Sequence, residues 1–345
     1  MTDLQIISSA LAETGRSRIL VLGDYALDKY LYIDPARDEP SVETGLTAYQ
    51  IHGKRMSAGA GGNVVSNLRA LGADVTCISL IGDDGEGYEL LRCLRSVGAN
   101  TEYMVHADDL CTCTYTKPMR LQEDGSWVEM NRLDFRNFTP PSMELQKHLV
   151  ENLKACLPHV DAVLLVDQFC QRNLGTITDY VREQVNLLAK EHPEVIFFVD
   201  SRAFSGEFRN MIVKCNNHEL MAMANAEGDP EDPHILGSLA QDLGRKNNAT
   251  FAVTRGSRGM MVLDHGNIHS VDGVKVCGPL DIVGAGDSAS AGFVLGLTRG
   301  LDFTRAAMVA CCVSSITIQQ IGTTGTATVP QVLQRLECYL RGETV

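Results

Sequence analysis

Gly284, Ala285 and Gly286 stand directly before Asp287, and the following stretch from Ser288 to Gly296 places Phe293 and Leu297 four residues apart on one side of a helix. The first turn of a helix has backbone N–H groups without intrahelical partners and carries the positive end of the dipole. Glycines let that backbone approach an anion closely, so this turn suits a phosphate or its transition state. A carboxylate at Asp287 is then placed to take a proton from an attacking hydroxyl. Aspartate is also a good helix cap, and on these residues alone the two readings stand level. No GxxxxGK[ST] sequence occurs, so phosphoryl transfer here would not use a Walker loop.

A second glycine cluster runs from Ala58 to Gly72 and contains Gly59, Gly61, Gly62 and Asn63. Val64 stands where a dinucleotide fingerprint needs its third glycine, which leaves a glycine-rich turn opening a helix. Asn63 either caps that helix or holds a ligand hydroxyl with its amide, and capping is the simpler reading.

These two turns need a frame. Strand-length apolar runs at Arg18–Gly23, Val75–Leu80, Ala162–Val166, Val195–Val199, Met211–Lys214 and Thr250–Thr254 alternate with helical patterns at Asn63–Leu71, Tyr88–Val97, Leu174–Lys190 and His234–Lys246. That alternation predicts an α/β fold, a parallel sheet covered by helices. Asp287 to Thr317 reads as two helices packed closely through alanine and glycine. Two segments, Ala26–Met56 and Thr101–Leu133, alternate apolar and polar residues instead and predict antiparallel strands outside the main sheet, suited to a lid over a cleft. The chain is expected to be one domain over 1–345 with these lid strands inserted.

Bulk properties narrow the function. With 345 residues, 44% hydrophobic and 21% charged, the chain can bury a large core. A net charge of −13 argues against a sequence-independent nucleic-acid surface. No apolar run is long enough to span a membrane, and the N-terminus lacks a signal-peptide pattern, so a cytoplasmic protein is expected. The 11 cysteines are scattered through apolar stretches and read as buried thiols. Cys111 and Cys113 have no matching second pair for a zinc site.

The Asp281-Ile-Val-Gly284-Ala-Gly286-Asp287 segment resembles the C-terminal signature of the ribokinase-like (PfkB) carbohydrate kinases, and Gly59–Gly72 resembles their N-terminal signature. Ile81-Gly-Asp-Asp-Gly-Glu-Gly87 is similar to the family's Gly-Asp-Asp turn. The similarity runs from about Arg18 to Pro330. It implies a doubly wound, mainly parallel sheet flanked by helices, with a small β-sheet lid that pairs two copies into a homodimer. It further implies an ATP-dependent kinase acting with Mg2+ on a sugar or sugar phosphate. Asp287 would be the base and Gly284, Ala285 and Gly286 the anion hole. Asn216 and Glu219 match an Asn-x-x-Glu motif linked to magnesium. Thr254, Gly256 and Gly259 match the turn beside the nucleotide. Asp24, Asp28, Gly59 and Asn63 match acceptor contacts. Asp281, with backbone near Val283 and Thr328, matches a monovalent-cation site for K+.

Within the family, Gly23–Tyr30, Arg132–Phe135 and Gly325–Pro330 are most similar to heptose-7-phosphate kinase domains. A phosphorylated acceptor would want cations, for which Arg37, Lys117, Arg120 and Arg202 are candidates. Three departures stand out. Ala60 replaces the second signature glycine, the lid lacks the family's Pro-Val-Pro-Val run, and no His-x-Gly-His nucleotidyltransferase motif occurs. An adenosine-like nucleoside kinase, or a sugar- or nucleotide-binding protein that has lost catalysis, are the alternatives.

Overall fold

The computed structural model describes residues 1–12 and 17–345. Among them an eight-stranded sheet runs in the order Asn267–Val271, Met260–Asp264, Thr250–Thr254, Ile212–Asn216, Ile196–Ser201, Ala162–Asp167, Arg18–Gly23, Asp74–Ile78. The six strands from Thr250–Thr254 onward are mutually parallel, and the first two form an antiparallel edge. Continuous apolar runs make these strands because both faces are covered. Ile19 and Val21 enter the core on one face; Leu20 and Leu22 enter the core on the other.

The first of these faces is covered by Gly61–Ala70, Ala285–Thr298 and Phe303–Thr317, among other helices. Small residues set the spacing of the last two. A β-carbon on Gly292 would lie 3.1 Å from the Ala310 Cα, and one on Gly296 would lie 3.0 Å from the Ala306 Cα. The opposite face is covered by Met143–Cys156, Asp179–Glu191 and Pro233–Asn247.

The lid is a second sheet of Tyr25–Ile33, Ile51–Ala60, Thr114–Leu121, Trp127–Glu129 and Leu133–Phe135. The expected antiparallel arrangement needs correction at its centre. Tyr25–Ile33 pairs antiparallel with Ile51–Ala60 but parallel with Thr114–Leu121. The start of the Thr101–Leu133 segment lies elsewhere, because Val105–Ala107 pairs with Leu80–Gly82 in a separate ribbon. Ser79 ends the Asp74–Ile78 strand; its hydroxyl donates to the Gly23 carbonyl at 2.6 Å.

Candidate active site

The chemistry-bearing residues gather at the carboxyl ends of the parallel strands, where open α/β sheets form their crevices. Gly284 begins the Ala285–Thr298 helix with φ 79°, and a β-carbon there would meet Thr324 Cγ2 at 2.5 Å, so only glycine fits. That makes Asp287 the third helical residue rather than the cap. Its Oδ2 accepts a 2.9 Å hydrogen bond from Asn63 Nδ2. The two glycine turns, 224 residues apart in sequence, therefore meet at this carboxylate. Asn63 spends its amide across the cleft, while its carbonyl accepts from Asn67 at 3.0 Å.

Electrostatics set the state of Asp287. Burial, then the nearby Asp200 charge, push its carboxyl up to about 6, while Asn63, Lys214 and Arg202 oppose the rise. Asp200 and Lys214 did not figure among the expected site residues. They face each other in register on the adjoining strands Ile196–Ser201 and Ile212–Asn216. Lys214 Nζ lies 2.5 Å from Asp200 Oδ2, and both side chains are largely buried. The available signal was a lysine inside the apolar run Met211–Cys215 and an aspartate closing Val195–Val199.

Asn216 and Glu219 form a reciprocal capping box at the start of Asn217–Met223. Glu219 N donates to Asn216 Oδ1 at 2.8 Å, and Asn216 N donates to Glu219 Oε2 at 2.7 Å. Burial and then Asp200 raise the Glu219 carboxyl against the pull of its bond from Asn216 and of Lys214 and Arg202. The Asp200 charge thus acts on both Asp287 and Glu219, with Lys214 and Arg202 opposing it at each. Among the described residues no three His, Cys, Asp or Glu side chains are grouped to hold a metal ion by themselves, so magnesium here would be carried by phosphates. Asp281 is different. Its Oδ1 accepts from Val283 N at 3.1 Å and its Oδ2 from Gly322 N at 3.2 Å. This clasp ties two loops together and leaves each carboxylate oxygen a further lone pair.

Asp24 is the clearest correction. It is 2% exposed and accepts backbone N–H bonds from Thr176 at 2.7 Å, Gln168 at 2.8 Å and Phe169 at 3.2 Å. Its carboxylate is consumed in holding the 168–176 loop and is not open to an acceptor. Asp28 stands on the lid, where its Oδ1 accepts from Lys117 at 2.7 Å and its Oδ2 lies so near Gly59 that a β-carbon there would approach to 2.4 Å. Lys117 also reaches the Tyr30 hydroxyl at 3.1 Å, and Arg55 stacks over the Tyr30 ring while donating to the Gly322 carbonyl at 3.2 Å.

Of the residues matched to the nucleotide turn, Thr254 pairs in register with Asn216, and its hydroxyl donates to the Cys215 carbonyl at 3.4 Å. Gly256 opens a 3-10 turn with free space where a side chain would stand. Gly259 is a glycine for another reason: a β-carbon would fall 2.1 Å from the Val271 carbonyl oxygen of the edge hairpin. Of the four candidate phosphate cations, Arg37 pairs with Asp34, Lys117 with Asp28 and Arg120 with Asp38. Arg202 is exposed, makes no ion pair among the described residues, and directs its charge at Asp287 and Glu219.

A mainly parallel sheet with a β-lid, and a glycine turn presenting an aspartate at a helix start, define a sugar-kinase architecture. Residues 26–330 match the pfkB family of carbohydrate kinases, and the chain belongs to that family. Among curated relatives it is 28% identical over 308 residues to the bifunctional protein HldE of Methylobacillus flagellatus, covering 88% of this chain and 60% of that protein. It is 27% identical to HldE of Rhodopseudomonas palustris, covering 94% of this chain and 64% of the relative. The chain thus spans under two thirds of the length of these relatives. Among solved structures it is similar to Arabidopsis thaliana ribokinase complexed with ribose and ATP, with TM-score 0.68 and 18% identity over 94% of this chain and 99% of that one. It is also similar to Escherichia coli phosphofructokinase-2 in complex with potassium, with TM-score 0.69, 18% identity and the same coverages.

Proposed function

We propose that the chain transfers the terminal phosphoryl group of ATP to a hydroxyl of a sugar or sugar phosphate, with Asp287 as the general base. The observation that carries this reading is the position of Asp287. It lies in the first turn of a helix where Ala285 N donates to the Ile282 carbonyl while Gly286 N has no backbone partner among the described residues, and its carboxylate is held by Asn63 rather than spent on capping. Asn63 orients the carboxylate toward the incoming hydroxyl, and Arg202 offers an unpaired charge to a phosphate. Magnesium bound with the nucleotide would face Glu219 and neutralise phosphate charge. The acceptor side would be made by Gly59 and Asp28, with the Asp28–Lys117 pair setting polarity under the lid. The likeness of Gly23–Tyr30 to heptose-7-phosphate kinase domains makes a seven-carbon sugar phosphate the first acceptor to try.

The test is ADP release by the purified chain with ATP, Mg2+ and a panel of sugars, sugar phosphates and adenosine. Asp287→Asn should lower turnover by about 10²–10⁴-fold and leave nucleotide affinity nearly unchanged. A variant that keeps most of its turnover removes Asp287 from the role of base. A clear preference for adenosine overturns the sugar reading.

A further inference from the structure

We infer that Lys214 is a catalytic residue whose ammonium group, held in place by Asp200, completes the anion site of Gly284–Gly286 and binds the phosphoryl group in transfer. This rests on the phosphoryl-transfer reading above. Lys214 and Asp200 point to the same face of the sheet, the face on which the Ala285–Thr298 helix lies, because their neighbours Ile212 and Phe198 belong to that core. The ammonium nitrogen sits 2.9 Å from where a β-carbon on Gly286 would be, which puts the charge directly against the glycine turn. Below it, Asp200 Oδ2 receives the lysine at 2.5 Å and the Ser290 hydroxyl lies at 3.1 Å. Ser290 is also 3.0 Å from the Gly286 carbonyl, which ties the ion pair to the glycine turn.

A buried Lys–Asp pair gains little stability over apolar residues of the same volume, since desolvation offsets the attraction. Its place under a phosphate-binding turn needs another reason. An ammonium has three N–H bonds, and Asp200 is its one hydrogen-bond partner among the described residues. Two directions remain for a ligand. Attraction to Asp200, Asp287 and Glu219 holds the group charged against its burial. A charge in this shielded position acts on phosphate oxygens more strongly than the exposed Arg202 does.

In the reaction, the acceptor oxygen bonds to the terminal phosphorus while the bond from that phosphorus to the bridging oxygen breaks. The electron pair leaves with ADP, and the acceptor proton goes to Asp287. Lys214 keeps its protons throughout and stabilises charge on the phosphoryl oxygens as they pass Gly286.

The deciding variant is the double substitution D200N/K214M, which removes both charges and leaves no orphaned ion. It is read beside K214M, K214R and D287N by calorimetric binding of Mg-ADP with and without aluminium fluoride, a mimic of the phosphoryl group in flight. Thermal melting checks that each variant is folded. D200N/K214M should bind Mg-ADP within about threefold of the parent yet lose about 100-fold in affinity for the aluminium fluoride complex. K214R should recover part of that loss. If the neutral double variant binds the mimic as the parent does, Lys214 serves only to balance Asp200, and the inference fails alone. If the parent chain binds no Mg-ADP, both readings fall. Loss of turnover in D287N with unchanged behaviour in D200N/K214M leaves the kinase reading standing and this one refuted.

Discussion

At Asp287 the same burial that makes a useful base also works against folding. The folded carboxyl holds its proton up to about 6, above the range of an exposed aspartate near 4. A base must be ionised, so kcat/KM should rise with pH through about 6 and level off above it. For stability the sign is opposite. The charged form is disfavoured in the fold, so Asp287 subtracts stability above pH 6, and the loss disappears as pH falls toward 4. D287N should therefore melt a few degrees higher at pH 7.5 than the parent, while turnover collapses. An equal or lower melting temperature at that pH removes the strain argument. Ala60 is a second strained residue, with φ 51° and ψ −118° at the start of the Gly61–Ala70 helix, where the other non-glycine residues at positive φ are asparagine or histidine. Ala60→Gly should stabilise the chain by about 1 kcal/mol in urea unfolding. A destabilised variant would show that the methyl group packs productively. Asp287, Gly284 and Asn63 were legible in sequence because a glycine turn before a helix is a local signal. Lys214 and Asp200 were not, because their meeting depends on strand register.

Among the elements, the loop from Gln168 to Thr176 shows how a local pattern misleads. The apolar rhythm from Leu174 predicts helix, yet the helix begins at Asp179, where the Thr178 hydroxyl caps it by accepting from Val181 N at 3.3 Å. Thr176 N is instead drawn to Asp24 across the sheet end. No periodicity reports a bond between residues 152 apart. The consequence is testable. Asp24→Ala strands three backbone N–H groups in a buried place and should cost about 3 kcal/mol or more in urea unfolding. At 25 °C the folded fraction should still turn over, unlike D287N; an inactive but stable Asp24→Ala variant would return Asp24 to the acceptor site. The central strands were readable because burial on both faces writes unbroken apolar runs. The edge hairpin Met260–Asp264 and Asn267–Val271 was missed, its outer strand being polar and mostly exposed.

For the molecule as a whole, the lid carries the open question of assembly. Val128, Leu133, Phe135 and Phe138 are exposed on it or just beyond it, at 51%, 62%, 49% and 83%. Apolar side chains grouped this way favour a second copy as their cover. The chain should sediment as a dimer at micromolar concentration, and L133D/F135D should sediment as a folded monomer. A monomeric parent overturns that expectation. The lid strands themselves were foreseen from alternation, but the parallel seam between Tyr25–Ile33 and Thr114–Leu121 was not, since alternation is blind to strand direction. That seam has a further consequence, in time rather than space. Asp28 and Lys117, which it brings together, are 89 residues apart in the chain. Closing so long a loop is slow, and the Tyr25–Ala60 hairpin must wait with a bare edge until Thr114–Leu121 arrives. Until that strand docks, the lid is a two-stranded ribbon exposed on one side, open to pairing with any other strand that meets it.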